Sequence, residues 1–284
     1  MQQFAVYINP NLDTEPIFKL LAELNDRFGL RFYGTKAQRD ILPAKMPCCD
    51  HDHGKMPWIE CVLVFGGDGT ILRAKTIAIL TRAPILGINL GWLGFLSETT
   101  FKELESFIPY LIHEKHKLIS RILLNCKLKR EGKVIFEGLA LNDAVIYKAE
   151  TPRMINIRTY SEGRFVFSAR CDGAIACTPT GSTAYNLSAG GPLLTPEMRA
   201  IVVSHLNPHL LSIRPMVFPS TNKICLKVTG LHEPAWLQLD GENVHQMLVG
   251  DEVIVTEADV KVDFVKLSDR TFYRTLRNKL HLGK

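Results

Sequence analysis

No apolar run in the 284 residues approaches the roughly 18 needed to cross a bilayer as a helix. The opening Met1-Gln2-Gln3-Phe4-Ala5-Val6-Tyr7-Ile8 has no basic region followed by a long apolar one, so neither export nor membrane insertion is expected. There is no CxxC pair. Seven cysteines, at 48, 49, 61, 126, 171, 177 and 225, are odd in number and scattered through a chain far larger than disulfide-stapled domains, which predicts a reducing, cytoplasmic setting. Charge of one sign is not in excess either: 34 Lys and Arg face 29 Asp and Glu. The formal +5 is too small and dispersed for a nucleic-acid footprint, though favourable for small polyanions. Two phosphate-binding fingerprints are missing as well, since no GxxxxGK[ST] occurs and no GxGxxG follows a strand. Any nucleotide must be held by other means. What is present, 46% hydrophobic and 22% charged residues, is ordinary globular usage, and the length suggests two domains.

Phe4 to Ile8 reads as a strand ending at Asn9-Pro10-Asn11, and Ile17, Leu20, Leu21, Leu24 and Phe28 fall at helical spacing over 14–28. Leu30 to Tyr33 follows as a second strand, then 36–58 is polar and irregular. The apolar run 59–65 predicts a buried strand, with a helix over about 71–81, a strand at 83–89 and a helical pattern at 100–115. Such alternation predicts a mostly parallel α/β sheet. Beyond about 117 the runs are short and β-like, at 118–130, 133–136, 139–147, 153–160 and 164–169, and again at 212–218, 223–229, 235–240 and 252–256. The expected fold class is therefore α/β plus all-β: an α/β domain over 1–116, and a β-rich, sandwich-like domain over 117–260 with one internal helical segment. A segment over 261–284 is expected to pack back on the first domain.

Gly66-Gly67-Asp68-Gly69-Thr70 directly follows the buried run Ile59 to Phe65, where α/β proteins place ligands. Glycines let backbone approach phosphate oxygens, and the following helix offers unpaired N–H groups to an anion. A carboxylate among phosphates repels them unless it binds metal or takes a proton from a hydroxyl being phosphorylated, so Asp68 points to phosphoryl transfer. The plainer alternative is a tight strand-to-helix turn with Asp68 as its cap. The second informative stretch, Asp172 to Pro192, is a loop crowded with hydroxyls that enters a short helix. Thr178, Thr180, Ser182 and Thr183 could cap that helix, but four exceed what one cap needs. With Tyr185 and Asn186 they would suit a ribose and a base.

On these two stretches, together with Gly87-Ile88-Asn89-Leu90-Gly91-Trp92-Leu93-Gly94-Phe95-Leu96 and Leu141-Asn142-Asp143, the chain resembles the NAD kinase family, which phosphorylates the adenosine-ribose 2′-hydroxyl of NAD. The glycine loop is shared with diacylglycerol, sphingosine and 6-phosphofructo kinases, whereas the Thr178 to Tyr185 block is far more specific. The resemblance implies that Asp68 is the base accepting the ribose proton, with Gly66, Gly67, Gly69 and Thr70 near the phosphates. It implies that Arg73 meets phosphate charge, where the residues alone would also allow a solvated helix position. Asn142 and Asp143 match the family's dinucleotide-contacting pair, otherwise readable as a strand-end turn. Arg153, Arg170 and Asp172 fall where further substrate contacts are expected, although Arg170 and Asp172 would also make an ion pair on one side of a strand. Thr183, Ala184, Tyr185, Asn186 and Ser188 would line the adenine and ribose pocket.

The implied partners are ATP as donor and NAD as acceptor, in a homo-oligomer, dimer or tetramer, with no nucleic acid and no membrane. A divalent cation, Mg²⁺, is inferred from the chemistry, carried by substrate phosphates and water with no protein ligand assigned. The chain departs from the family at Asp240-Gly241-Glu242, where Asp-Gly-Gln is usual, and at Trp92, where a polar or basic residue is usual. Cys48-Cys49-Asp50-His51-Asp52-His53 has a metal-like composition but reads as an exposed insertion, because adjacent ligands close a tetrahedral site poorly. Two rival functions are a lipid or sphingoid-base kinase sharing the glycine loop, which 172–192 is too polar to suit, and a dinucleotide sensor without turnover.

Overall fold

The computed structural model describes residues 1–50, 57–91, 93–149, 152–231 and 233–283; the His51–His53 part of the Cys/His stretch and Trp92 lie outside them. The chain divides into two compact units, one formed by Met1–Ser120 with Val262–Lys284 and the other by Arg121–Lys261. In chain order the elements are β1 (Gln3–Ile8), α1 (Glu15–Phe28), β2 (Arg31–Tyr33), β3 (Cys61–Phe65), α2 (Asp68–Thr81), β4 (Ile85–Asn89), β5 (Thr99–Thr100) and α3 (Leu104–Ile112). Then come β6 (Lys117–Arg130), β7 (Lys133–Ala140), β8 (Asp143–Tyr147), β9 (Ile155–Ser161), β10 (Arg164–Cys171), β11 (Gly173–Cys177) and α4 (Tyr185–Ser188). The chain continues through β12 (Ala200–Leu206), β13 (Met216–Pro219), β14 (Ile224–Gly230), β15 (Ala235–Leu239), β16 (Glu242–Met247), β17 (Glu252–Lys266) and α5 (Phe272–Leu280).

In the first unit β2, β1, β3 and β4 lie side by side and parallel, and Phe264 of β17 pairs in parallel with Ile85 at the far edge. The central run Cys61-Val62-Leu63-Val64-Phe65 is buried at every position, as a strand covered on both faces must be. Ile17, Leu21 and Leu24 of α1 and Leu104 and Ile108 of α3 join Phe4, Leu63, Phe65, Leu86 and Val265 in one core. The chain runs from β1 outward to β2 and then returns past β1 to β3. The order therefore reverses between β1 and β3, and the crevice beyond their carboxyl ends is the favoured ligand position of an open α/β sheet. Asn9 N–H donates to the Phe65 carbonyl there, at 2.9 Å.

The second unit is two packed, largely antiparallel sheets. One runs β13, β12, β11, β8, β15, β16; the other contains β10, β9, β14 and the Glu252–Val255 part of β17, with β6 paired to β7. Leu124, Ile146, Ile157, Ile201, Val203, Leu226, Leu237 and Val255 fill the core between them. The alternation expected of such a sandwich is clear in β14 and β15. Two of its central strands contradict the sequence reading. Gly173–Cys177 lies in the stretch read as loop, yet it pairs with both β8 and β12. Ala200–Leu206, for which the sequence reading gave no strand, is a fully buried one. Burial on both faces suppresses the alternation by which strands are recognised, and the Gly-Ala composition of β11 has low intrinsic strand propensity.

Candidate functional site

Gly66 closes β3 with φ +153°, and a Cβ there would stand 2.4 Å from Thr70 Oγ1, so the turn requires glycine. Gly67 is extended and caps α2, which begins at Asp68 rather than at the expected 71. Asp68, Gly69 and Thr70 thus form the first helical turn, with the carboxylate at the positive end of the helix dipole. The Asp68 side chain is fixed from outside its own helix: Oδ2 accepts from Phe95 N–H at 2.8 Å and Oδ1 from Leu96 N–H at 3.1 Å. Gly94 makes this approach possible, because a Cβ at that position would lie 2.0 Å from Oδ1. Arg73 is exposed one turn along α2, its Nε 3.4 Å from the Gly69 carbonyl. Arg73 and Thr70 border a cavity of about 230 Å³ whose wall also includes Tyr7, Gln38, Asp40 and Ile41, at the carboxyl end of β1. Glycine backbone, a helix start, a guanidinium and a held carboxylate are the parts a phosphoryl-transfer site needs.

In the second unit, the turn Leu141-Asn142-Asp143 is clamped by a single carboxylate. Asp240 accepts from Leu141 N–H at 2.9 Å, Asn142 N–H at 2.7 Å and Asp143 N–H at 3.2 Å. Burial, reinforced by the nearby Asp240 charge, pushes the Asp143 carboxyl up to about 7. Asn142 is buried and its Oδ1 has no hydrogen-bond partner among the described residues, which leaves one acceptor for a ligand N–H or O–H.

The hydroxyl-rich loop packs directly on this turn. Thr178 Oγ1 donates to the Leu141 carbonyl at 2.6 Å and accepts from Gly181 N–H at 3.1 Å, while Ser182 Oγ bridges Pro179 and Leu194. Thr183 Oγ1 donates to the Thr180 carbonyl at 3.2 Å. Capping accounts for Thr178 alone, whose Oγ1 takes the first amide of the Gly181–Thr183 turn; Thr180 and Ala184, which precede that turn and α4, make no side-chain cap bond. Thr178 and Ser182 also cross-link the loop. Asn186 is likewise committed: it is fully buried, accepts from Ser204 Oγ at 2.6 Å and donates to the Pro192 carbonyl at 3.3 Å. Tyr185 and Ser188 are exposed, and Thr183 and Ala184 are half-buried, so these four present surface to a ligand.

Asp172 forms its ion pair with Lys148, at 2.7 Å, and accepts from Asn207 Nδ2 at 2.9 Å; Arg170, two residues away, is exposed. Its carboxyl is held below the usual range: burial opposes this, but the Lys148 and Asn207 hydrogen bonds and the Lys148 charge outweigh it. Arg153 is exposed. Lys148 and the Asp240 clamp were missed from sequence; the Asp240-Gly241 dipeptide, a turn signal that went unused, could have pointed to the second. All seven cysteines are free thiols, and Cys171, buried, is pushed up to about 12 by desolvation, which makes it inert.

Comparison with known proteins agrees across the chain. Residues 47–116 match the ATP-NAD kinase N-terminal domain and residues 141–267 the ATP-NAD kinase C-terminal domain. The NAD kinase of Heliobacterium modesticaldum is 37% identical over 226 residues, 80% of each chain. That of Acidobacterium capsulatum is 39% identical over 225 residues, 79% of each chain. Yeast NADH kinase complexed with NADH superposes with TM-score 0.87 at 25% identity, over 100% of this chain and 89% of its own. An NAD kinase from Archaeoglobus fulgidus in complex with ATP shares the fold, with TM-score 0.73 at 22% identity over 99% of each chain.

Proposed function

The chain belongs to the ATP-NAD kinase family, and on that premise we propose how its residues divide the work of moving the terminal phosphoryl group of ATP to the 2′-hydroxyl of the adenosine ribose of NAD, giving NADP. Asp68 is the general base. The observation that carries this role is its placement on the first turn of α2, steadied by the Phe95 and Leu96 amides while each oxygen keeps a lone pair for the ribose O–H. Gly66, Gly67, Gly69 and Thr70 give the donor phosphates close backbone approach, and Arg73 supplies the positive charge bordering the same cavity. The cavity wall contributes one carboxylate, Asp40, and no group of three His, Cys, Asp or Glu among the described residues is placed to hold a metal. This donor set fits Mg²⁺ held by the triphosphate and its waters, where it would neutralise charge on the donor oxygens.

Asn142, through its unpartnered Oδ1, and Asp143 contact the dinucleotide. The exposed ring of Tyr185, with Thr183, Ala184 and Ser188, receives adenine and ribose, while Asn186 holds that surface in place from beneath. Arg153, Arg170 and the Lys148-paired Asp172 complete the substrate contacts. The free thiols support a cytoplasmic setting. The exposed apolar side chains of Leu210, Leu211, Met216 and Val217 support assembly into a homo-oligomer, which light scattering would measure.

The deciding experiment is NADP⁺ formation from NAD⁺ with ATP and Mg²⁺, wild type beside Asp68→Asn. Wild type should form product and the variant should be slower by at least about a hundredfold. A folded wild type that binds NAD⁺ without turnover would instead be a sensor.

A further inference from the structure

Asp68 is held by backbone amides that belong to another turn, and that turn is itself anchored. Gly94 N–H donates to Ser97 Oγ at 2.6 Å, closing the loop that presents the Phe95 and Leu96 amides. Glu98 N–H donates to the Gly87 carbonyl of β4 at 2.9 Å, which ties the turn to the sheet. Its carboxylate faces the other way, into the segment that follows β17. Oε1 accepts from Leu267 N–H at 2.9 Å, Ser268 N–H at 2.7 Å and Ser268 Oγ at 2.7 Å, and Oε2 from Lys266 Nζ at 2.8 Å. Beside it the Arg270 guanidinium donates to the Ser97 carbonyl. Glu98 is only 9% exposed and its four donors include one ammonium, so the carboxylate is both desolvated and compensated. Such a contact is rigid: rotating it away would leave a buried charge and two backbone amides without partners.

We propose that Glu98 is a positioning residue for the reaction: by fastening the Gly94–Ser97 turn to residues 266–270, it sets where the Phe95 and Leu96 amides hold the Asp68 carboxylate. The inference rests on the reading of Asp68 as general base. A carboxylate is a useful anchor here because it joins two chain segments about 170 residues apart through backbone N–H groups, which any residue at 267 except proline supplies. Arg270 is a second, independent strut on the same turn.

The test is a double-mutant cycle on the full-length protein, with kcat and KM for NAD⁺ measured for Glu98→Gln, Arg270→Leu and Asp68→Asn, and for each of the first two combined with the third. Glu98→Gln keeps an acceptor for the amides but turns an NH₂ toward Lys266, so the turn is loosened without being emptied. Each strut variant should lose about tenfold in kcat, the scale of a small misplacement of a reacting group, with KM for NAD⁺ within about twofold of wild type. In the Asp68→Asn background the same changes should have almost no effect on the residual rate, because the group they position is gone. Equal losses in both backgrounds would overturn the proposal and make Glu98 a general scaffold residue. Wild-type kcat in both Glu98→Gln and Arg270→Leu would overturn it too. A fully active Asp68→Asn would instead remove the general base itself, a different failure read from a different variant. If Glu98→Gln fails to fold, Arg270→Leu, which keeps the Glu98 contacts, carries the same cycle.

Discussion

Gly94 shows how far a missing side chain can matter. Its hydrogen atom occupies the direction in which a Cβ would stand 2.0 Å from Asp68 Oδ1. Gly94→Ala must therefore push the carboxylate off its two amides, and kcat for NADP⁺ formation should fall by about ten- to a hundredfold, with the thermal midpoint little changed. A kcat equal to wild type would mean that the held geometry is unimportant. His205 makes a prediction of another kind. It sits in the sandwich core against the Phe167 ring, 4.9 Å between centroids, with Nε2 3.3 Å from Thr159 Oγ1, and burial drives it from 6.5 down to about 4. The folded form refuses a proton that the unfolded chain accepts, so stability from this site is whole above pH 6.5 and is lost as pH falls toward 4. Asp143, raised from 3.8 to about 7, acts oppositely, contributing below pH 3.8 and losing that contribution as pH rises through 7. Urea denaturation of wild type and His205→Gln across this range separates them: with the opposing histidine slope removed, the variant should gain stability relative to wild type as pH falls from 6.5 to 4.

Among the elements, the turn that enters β8 depends on a carboxylate about 100 residues away in sequence. Asp240→Ala strands three amides, and it should cost about 2–3 kcal/mol in urea denaturation and raise KM for NAD⁺. Asp240→Asn, which retains an acceptor, should recover part of both. Sequence made the α/β alternation readable because β1, β3 and β4 are apolar runs bounded by Asn-Pro, Gly-Gly and Asn, and α1 keeps its helical stripe. It made Asp68 stand out as a candidate because a carboxylate between glycines at a strand end serves either as a cap or as a proton acceptor. It concealed β11 and β12, whose two-sided burial removes the period of two. It also concealed the work of Thr178, Ser182 and Asn186, since a hydroxyl spent on a neighbouring carbonyl looks the same in sequence as one offered to a sugar. Asp240 and Glu98 were invisible for a related reason: both bind backbone amides, and amides leave no residue type to pair with.

For the molecule as a whole, the expected boundaries near 117 and 260 differ from the observed ones at 120 and 261 by a few residues. The reason lies in β6 and β17, long strands in which the change of unit occurs without any break in secondary structure. The first unit is discontinuous, and its core includes Val265 from the far side of the second. A chain stopped at Lys261 should therefore lose Phe264 beside β4 and all of Glu98's side-chain donors. Limited proteolysis should then degrade residues 1–120 while leaving a protected fragment near 121–261. Equal protection of both parts would refute the dependence.

That discontinuity also fixes an order in time. On a ribosome adding about 5–20 residues per second, the first 120 residues wait on the order of ten seconds for the segment that completes their sheet, while the sandwich between them can already close. The half carrying Asp68 is made first and finished last, so a nascent chain can pair the strands of its second unit before the turn that holds Asp68 acquires its anchor.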